Sequence, residues 1–311
     1  MTTGAASTPA GAAWVARLPG LIDRATRRWG LTLGTPFSVG TAAWTTPGVM
    51  ADGTPVVLKL TFPHDEAKYE ATALALWQGH AAVELLDHDT QDWALLLRRA
   101  HPGTLLLADT SPPHVRLGIA VEILRNLHRA VASGTEMPPL TTVSAKWSRI
   151  ATQRANRWAH LYEAYREEVT FGLGLLAAFG RPGAKPGPLV VLHGDLNPGN
   201  ILLDAPGSVP PQWLAIDPKP MIGDPGYDLW PVLSQIDNPF LYPDPLAVLR
   251  PRVDLAARAL GIPFRRICEW ACARSVESVL WQLETWPDPA RQALALKDLT
   301  QVRCWAVLAR S

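Results

Sequence analysis

Two short stretches hold oxygen ligands at spacings that suit phosphoryl transfer. The first is His193-Gly194-Asp195-Leu196-Asn197-Pro198-Gly199-Asn200, with an aspartate and an asparagine five residues apart on a turn-rich loop. The second is Ile216-Asp217-Pro218, where an aspartate follows the apolar run Trp213-Leu214-Ala215-Ile216. A carboxylate must accept the proton of the attacking hydroxyl, and two further oxygen ligands must hold magnesium across the phosphates of the donor. Asp195 suits the first task, Asn200 and Asp217 the second. A carboxylate at the end of a buried strand needs a partner, and a cation is the natural one. Read only as turn chemistry, Asp-x-Asn-Pro-Gly would cap a loop and nothing more.

Upstream, Lys59 closes the apolar run Val56-Val57-Leu58 and is one of only six lysines. A lysine on a strand can reach donor phosphates, and Glu70, eleven residues later on an expected helix, is the carboxylate to hold it. Glu66, one turn earlier, could do the same. Backbone N–H groups near Gly40 and Thr41, in Phe37-Ser38-Val39-Gly40-Thr41-Ala42-Ala43, could cradle phosphate without a glycine-rich motif.

The elements around these residues fall into two groups. A helix over Ala12 to Trp29, interrupted at Pro19-Gly20, precedes strands over Leu31–Phe37, Ala42–Met50 and Pro55–Leu60, with 51–54 as a hairpin turn. A helix from near Asp65 to Gly79 carries Tyr69, Ala73, Leu76 and Trp77 on one face, and strands at Val83–Leu86 and Trp93–Leu97 follow. Arg98-Arg99-Ala100-His101-Pro102-Gly103 breaks the pattern and marks a hinge, with Arg98 and Ala100 as nucleotide-contacting candidates. Beyond it the periodicity is helical: a helix after Pro112-Pro113 through Val115, Ile119, Ile123 and Leu127, and one or two between Lys146 and Phe179. The strand Leu189–His193 leads into the first loop, Ile201–Leu203 and Trp213–Ile216 are short strands, and helices over Pro245–Leu260, Phe264–Trp286 and Asp288–Ala309 finish the chain. The expected domains are 1–98 and 99–311.

Composition excludes several classes. The chain has 311 residues, 48% hydrophobic, which suffices for a real core. A net charge of +1 with 18% charged residues gives no field for a nucleic acid polymer or an anionic membrane. No apolar run reaches a bilayer span, so the cytoplasm is the expected location. Cys268, Cys272 and Cys304 form no disulfide framework or metal-binding spacing, and the first two suit small buried thiols on one helix face.

The Asp-x-x-x-x-Asn spacing, with histidine two residues before the aspartate, matches the catalytic loop of protein kinases. More narrowly, Leu192 to Asn200, Ile216-Asp217-Pro218-Lys219-Pro220 and Gly223-Asp224-Pro225-Gly226-Tyr227-Asp228-Leu229 resemble the aminoglycoside phosphotransferases, in the streptomycin 6-phosphotransferase and hydroxyurea phosphotransferase branch. The resemblance runs from about Leu33 to the C-terminus. It implies an α+β, bilobal protein-kinase-like fold, with an antiparallel sheet and one key helix in the N-terminal lobe and a larger, mainly helical C-terminal lobe. It also implies ATP and Mg²⁺, with Asp195 as base, Lys59 and Glu70 at the phosphates and Asn200 and Asp217 at the metal. Asp224, Asp228 and His193 would be scaffold, while Lys219 could meet phosphate or pair with Asp224.

The implied partner is a small, cationic, hydroxylated acceptor, and the chain is expected to act as a monomer. A cation needs carboxylates around it. Glu277, Trp281 and Glu284 follow i, i+4, i+7 spacing on one helix face, with Glu269 about 80° away. The alternative is a solvated acidic face with Trp281 in the core and Glu277 paired to Arg274. Gly194 in place of the kinase arginine, Pro218-Lys219 after the metal aspartate and the missing Gly-x-Gly-x-x-Gly argue against a protein kinase and for a constitutively active site. Hydroxyurea or another small hydroxylated metabolite is the alternative acceptor. A nucleotide-binding pseudokinase is the alternative class, opposed by the presence together of Lys59, Asp195, Asn200 and Asp217.

Overall fold

The computed structural model describes residues 8–37, 42–131, 134–183, 188–205, 212–286 and 288–311. They form two compact units: residues up to 105 together with 201–219, and residues 106–200 together with 220–311. The expected division was 1–98 and 99–311. Residues 201–219 join the first unit because their strands pair there and Ala215 bridges to Ala82.

In the first unit, helix α1 (Pro9–Trp29) begins at Thr8, whose Oγ accepts the Gly11 N–H at 3.1 Å, and ends at Gly30 with φ 61°. It runs unbroken through Pro19, against the expected interruption. A proline removes one helical hydrogen bond, while Trp14, Leu18, Leu21 and Ala25 bury one face in a core with Val56, Leu58, Leu60, Ala94 and Leu96. That packing outweighs the missing bond. Arg24 adds a two-point contact to Asp92, at 2.7 and 2.8 Å.

The core's other side is an antiparallel sheet of β1 (Thr32–Leu33), β2 (Ala43–Val49), β3 (Pro55–Thr61), β4 (Leu85–Asp89) and β5 (Ala94–Arg98), in the order β1-β2-β3-β5-β4. The strand expected over 31–37 shrinks to two residues, and the one expected at 83–86 starts at Leu85. The β2-β3 turn lies where expected: Gly53 takes φ 88° and Met50 and Thr54 bond across it. Alternation along β3 sends Val56, Leu58 and Leu60 toward α1 and leaves Lys59 on the other face.

Helix α2 (Glu70–Trp77) starts five residues later than expected, after a 3-10 turn over Asp65–Ala67 that buries nothing. Its inward face is Glu70, Ala73, Leu74 and Trp77. Gln78 and Gly79, both at positive φ, end it. A second sheet, β6 (Pro102–Leu105), β8 (Ile201–Asp204) and β9 (Gln212–Ala215), completes this unit. Part of the expected hinge is therefore strand.

The second unit holds α3 (Pro113–Leu127), α4 (Leu140–Trp158), α5 (Arg166–Phe179), the pair β7 (Val190–Leu192) and β10 (Met221–Gly223), α6 (Leu229–Gln235), α7 (Pro245–Leu260), α8 (Phe264–Thr285), α9 (Pro289–Lys297) and α10 (Leu299–Arg310). Its core centres on α8, which buries Trp270, Val276, Val279, Leu280 and Leu283 against α4, α5 and α10. A Cβ on Gly172 would collide with Val276, so α5 approaches α8 only because that residue is glycine. The single helix expected over 288–309 breaks at Asp298, whose carboxylate accepts from Gln301 and Gln282. On α3 the buried stripe is Leu117, Ala120, Val121, Ile123, Leu124 and Leu127, leaving the expected Val115 exposed.

Candidate active site

Lys59, the fifth residue of β3, meets two carboxylates of the first unit. Its Nζ donates to Glu70 Oε1 at 2.6 Å and to Asp217 Oδ1 at 2.5 Å. Lys59 and Glu70 are buried at 6% and 3% exposure, whereas the Asp217 side chain is 53% exposed. Burial opposes the lysine charge, but Glu70 and Asp217 outweigh it and hold the ammonium above its ordinary range. Burial also pushes the Glu70 carboxyl up, with Asp217 adding to it and Lys59 opposing. Two carboxylates thus crowd one ammonium. Glu66 does not take part: it sits on the exposed turn, 3.8 Å from Lys219.

Asp217 itself adopts φ 58°. Aspartate tolerates this left-handed region better than most residues, and such outliers persist where surrounding structure over-determines them. The strand β9 brings the chain there, and the Lys59 bond secures the side chain. An oxygen-only donor and excess negative charge on a half-exposed group suit a hard divalent cation. Among the described residues no group of three or more His, Cys, Asp or Glu could hold a metal by itself. Magnesium differs in needing few protein ligands, since phosphates and water complete its shell.

The loop of residues 193–200 belongs to the second unit and hangs from Asp228. That carboxylate is fully buried and accepts the backbone N–H of His193 on Oδ2 and of Gly194 on Oδ1, both at 2.8 Å. His128, at the end of α3, adds a bond from Nε2 to Oδ2 at 3.0 Å. Burial opposes ionisation of Asp228, yet the His128 bond, the nearby His193 and the Gly194 amide hold its carboxyl below the usual aspartate range. Gly194 takes φ 86°, open to glycine at little strain. The Asp195 N–H then donates to His193 Nδ1 at 3.3 Å.

Asn197 turns the loop, accepting the Gly199 N–H at 2.9 Å and donating to the Asp195 carbonyl at 3.3 Å. Asn200 closes it, with Nδ2 donating to the same carbonyl at 2.9 Å. That bond orients the amide and leaves Oδ1 as its donor atom for a cation. Asp195 and Asn200 are therefore fixed together, while Asp217 is fixed with Lys59 and Glu70.

The remaining candidates are placed as follows. Gly40 and Thr41 lie outside the described residues. Arg98 bonds Asp204 at 2.9 Å and lies 3.5 Å from Glu84, and Ala100 is buried. Asp224 is held by Arg266 at 2.6 Å, so the weighed pairing with Lys219 is replaced. On α8, Glu269 meets Arg265 at 3.0 Å, Glu277 meets Arg154 at 3.0 Å and Glu284 meets Arg157 at 2.6 Å. Trp281 is 41% exposed rather than in the core, edge-on to Trp286. Arg274 does not pair with Glu277 as weighed from the sequence; its Nη1 donates to the Tyr227 carbonyl at 3.0 Å. Cys268 and Cys272 are fully buried, and burial pushes both thiols up to about 12. His128 beside Asp228, and the contacts of Arg274 with the Tyr227 and Gly194 carbonyls, are what sequence reasoning missed. No local spacing marks either one.

A family model described as aminoglycoside/hydroxyurea antibiotic resistance kinase matches residues 29–285. A streptomycin 6-kinase of Streptomyces glaucescens is 33% identical over 300 residues, covering 92% of this chain and 90% of the relative. A hydroxyurea phosphotransferase of Kitasatospora aureofaciens is 33% identical over 276 residues, covering 88% of this chain and 76% of the relative. Among solved structures, the GDP complex of an aminoglycoside 2'-phosphotransferase mutant superposes with TM-score 0.65 at 14% identity, covering 94% of this chain and 99% of that one. The fold is therefore α+β and protein-kinase-like, as the motifs implied. The family match spans β1 to α8 and includes Lys59, Glu70, the Asp195 loop and Asp217, so the chain belongs to the aminoglycoside/hydroxyurea antibiotic resistance kinases.

Proposed function

We propose that this chain transfers the γ-phosphate of ATP to a hydroxyl of an aminoglycoside or aminocyclitol, inactivating a cationic antibiotic. The observation that carries this reading is the buried Lys59 with its two carboxylates, an arrangement that serves nucleotide phosphates and has no structural need of Asp217. Lys59 contacts the phosphates and Glu70 keeps it extended toward them. Asp195 accepts the proton as the acceptor oxygen bonds to the γ-phosphorus. The bond from that phosphorus to the bridging oxygen breaks, and ADP leaves with its electron pair. Asn200 Oδ1 and Asp217 would hold Mg²⁺, and the ion would supply charge neutralisation at the donor phosphates.

On α8, Glu269, Glu277, Trp281 and Glu284 are the residues proposed to meet the cationic acceptor. Gly40, Thr41, Arg98 and Ala100 remain on the nucleotide side of the proposal. No helix of the described residues is long and apolar enough to cross a membrane. We place the enzyme as a monomer in the cytoplasm, where ATP is found.

The test is incubation of the purified chain with labelled ATP and Mg²⁺ against streptomycin, other aminoglycosides, hydroxyurea and simple sugars. Label transferred to an aminoglycoside is the expected result. Transfer to hydroxyurea alone selects the second reading, which the relative from Kitasatospora aureofaciens favours. Nucleotide binding without transfer to any acceptor refutes the proposal in favour of a pseudokinase.

A further inference from the structure

Arg274 lies one helix away from the catalytic loop and touches neither phosphate ligand nor metal ligand, yet it is tied to the residue before the base. Its Nη1 donates to the Tyr227 carbonyl at 3.0 Å and its Nη2 to the Gly194 carbonyl at 3.4 Å. The guanidinium also lies over the ring of Tyr227, 4.1 Å from its centroid, and over Trp230 at 4.9 Å. Tyr227 is immobilised in turn, stacked on Trp147 at 6.0 Å and edge-on to Trp270 at 5.4 Å. A planar fork pinned by two aromatic faces can aim its donors in fixed directions, which a lysine cannot do.

The Gly194 carbonyl and the Asp195 N–H belong to one peptide unit. Arg274 holds that unit by its oxygen, and His193 Nδ1 holds it by its nitrogen. The residue on its N-terminal side is a glycine at φ 86°, where backbone rotation meets little steric resistance. The plane of this peptide sets the direction in which the Asp195 side chain leaves the main chain. A loop with a glycine at this point needs an external restraint to keep one orientation.

We propose that Arg274 is a positioning residue for Asp195: it latches the Gly194-Asp195 peptide against rotation and so fixes the aim of the base. The inference rests on the reading of Asp195 as the base. Its activity consequence follows from geometry, because small misplacement of a reacting group can lower turnover by about 100-fold.

The experiment compares wild type, Arg274→Gln, Arg274→Lys and Arg274→Ala by hydrogen exchange over residues 193–200 and by kinetics with ATP and the accepted acceptor. Expected is faster exchange of the Asp195 amide in all three variants, with kcat lowered roughly 10- to 100-fold and KM for MgATP unchanged. Arg274→Lys keeps the charge and the aliphatic stem but cannot span two carbonyls, so it restores stability more than kcat. Millimolar guanidinium should recover part of the lost kcat in Arg274→Ala and none in wild type. Unchanged exchange at Asp195 overturns the proposal, whatever the activity. So does a fall in thermal stability with kcat intact, or a kcat loss that guanidinium leaves untouched. If wild type phosphorylates no acceptor, the function reading fails on that result and hydrogen exchange alone decides the role of Arg274.

Discussion

Replacing Asp228 by asparagine changes one oxygen for an amide nitrogen and leaves the shape intact. In the wild type, Oδ1 accepts from Gly194 and Oδ2 accepts from both His193 and His128. An asparagine with its oxygen toward Gly194 aims its NH₂ at the His193 N–H, donor against donor. His128 can adapt by exchanging tautomers and accepting, but the backbone amide cannot. Flipping the asparagine only moves the conflict to Gly194. Either way one fully buried N–H loses its partner, which costs about 1–3 kcal/mol, and the surviving bond loses the strength of a charged acceptor. Together these give a destabilisation of about 2–4 kcal/mol. Urea unfolding at pH 7 with tryptophan fluorescence reads it directly, as a lower midpoint at unchanged slope. Because the same amides carry the backbone into Asp195, kcat should also fall by roughly tenfold or more. A variant within about 0.5 kcal/mol of wild type, with normal kcat, would falsify the view that Asp228 suspends the catalytic loop.

Other perturbations address the Asp195 loop and the Lys59 cluster separately. The Asp228 carboxyl is depressed in the folded state, so its contribution is complete above the unfolded aspartate pKa of about 3.9 and is lost as pH falls toward the folded value. The stability gap between wild type and Asp228→Asn should therefore stay constant at neutral pH and narrow below about pH 4; a gap that widens in acid contradicts the assignment. Asp195→Ala should abolish turnover while calorimetry finds MgATP binding largely intact, whereas Asp217→Ala should weaken MgATP binding as well. Glu70→Gln leaves Lys59 one carboxylate instead of two and should raise KM for ATP by roughly tenfold, about 1.4 kcal/mol, and unchanged nucleotide affinity would remove Glu70 from the site.

The parts of this site that sequence made legible are those built by local chemistry. The run from His193 to Asn200 closes on itself through Asn197 and Asn200, both bonding the Asp195 carbonyl within five residues, so its spacing carries its geometry. Lys59 was legible as the lysine that closes the apolar run Val56-Val57-Leu58; that alternation sets it opposite Val56, Leu58 and Leu60 is what the structure adds. Glu70 could be named but not separated from Glu66, since only the observed start of α2 decides which carboxylate turns inward. What escaped were partners distant in the chain: His128, a hundred residues before Asp228, and Arg274, eighty residues beyond Gly194. Their contacts depend on helix packing, which no short spacing encodes. Short strands such as β6 and β10 escaped too, because their pairing partners lie elsewhere in sequence. The unbroken α1 shows the converse, a local breaker overruled by a buried face.

The contribution of residues 201–219 to the first unit also sets a timetable. The strand β6 finds its neighbour β8, and Lys59 its second carboxylate, only after the ribosome has added α3, α4 and α5. At about 5–20 residues per second that delay is roughly ten seconds, during which β6 has no β8 to pair with and Lys59 no Asp217. A fragment ending at residue 105 would be held permanently at that stage, and so expressing the first unit by itself requires residues 201–219 to be grafted back or supplied in trans.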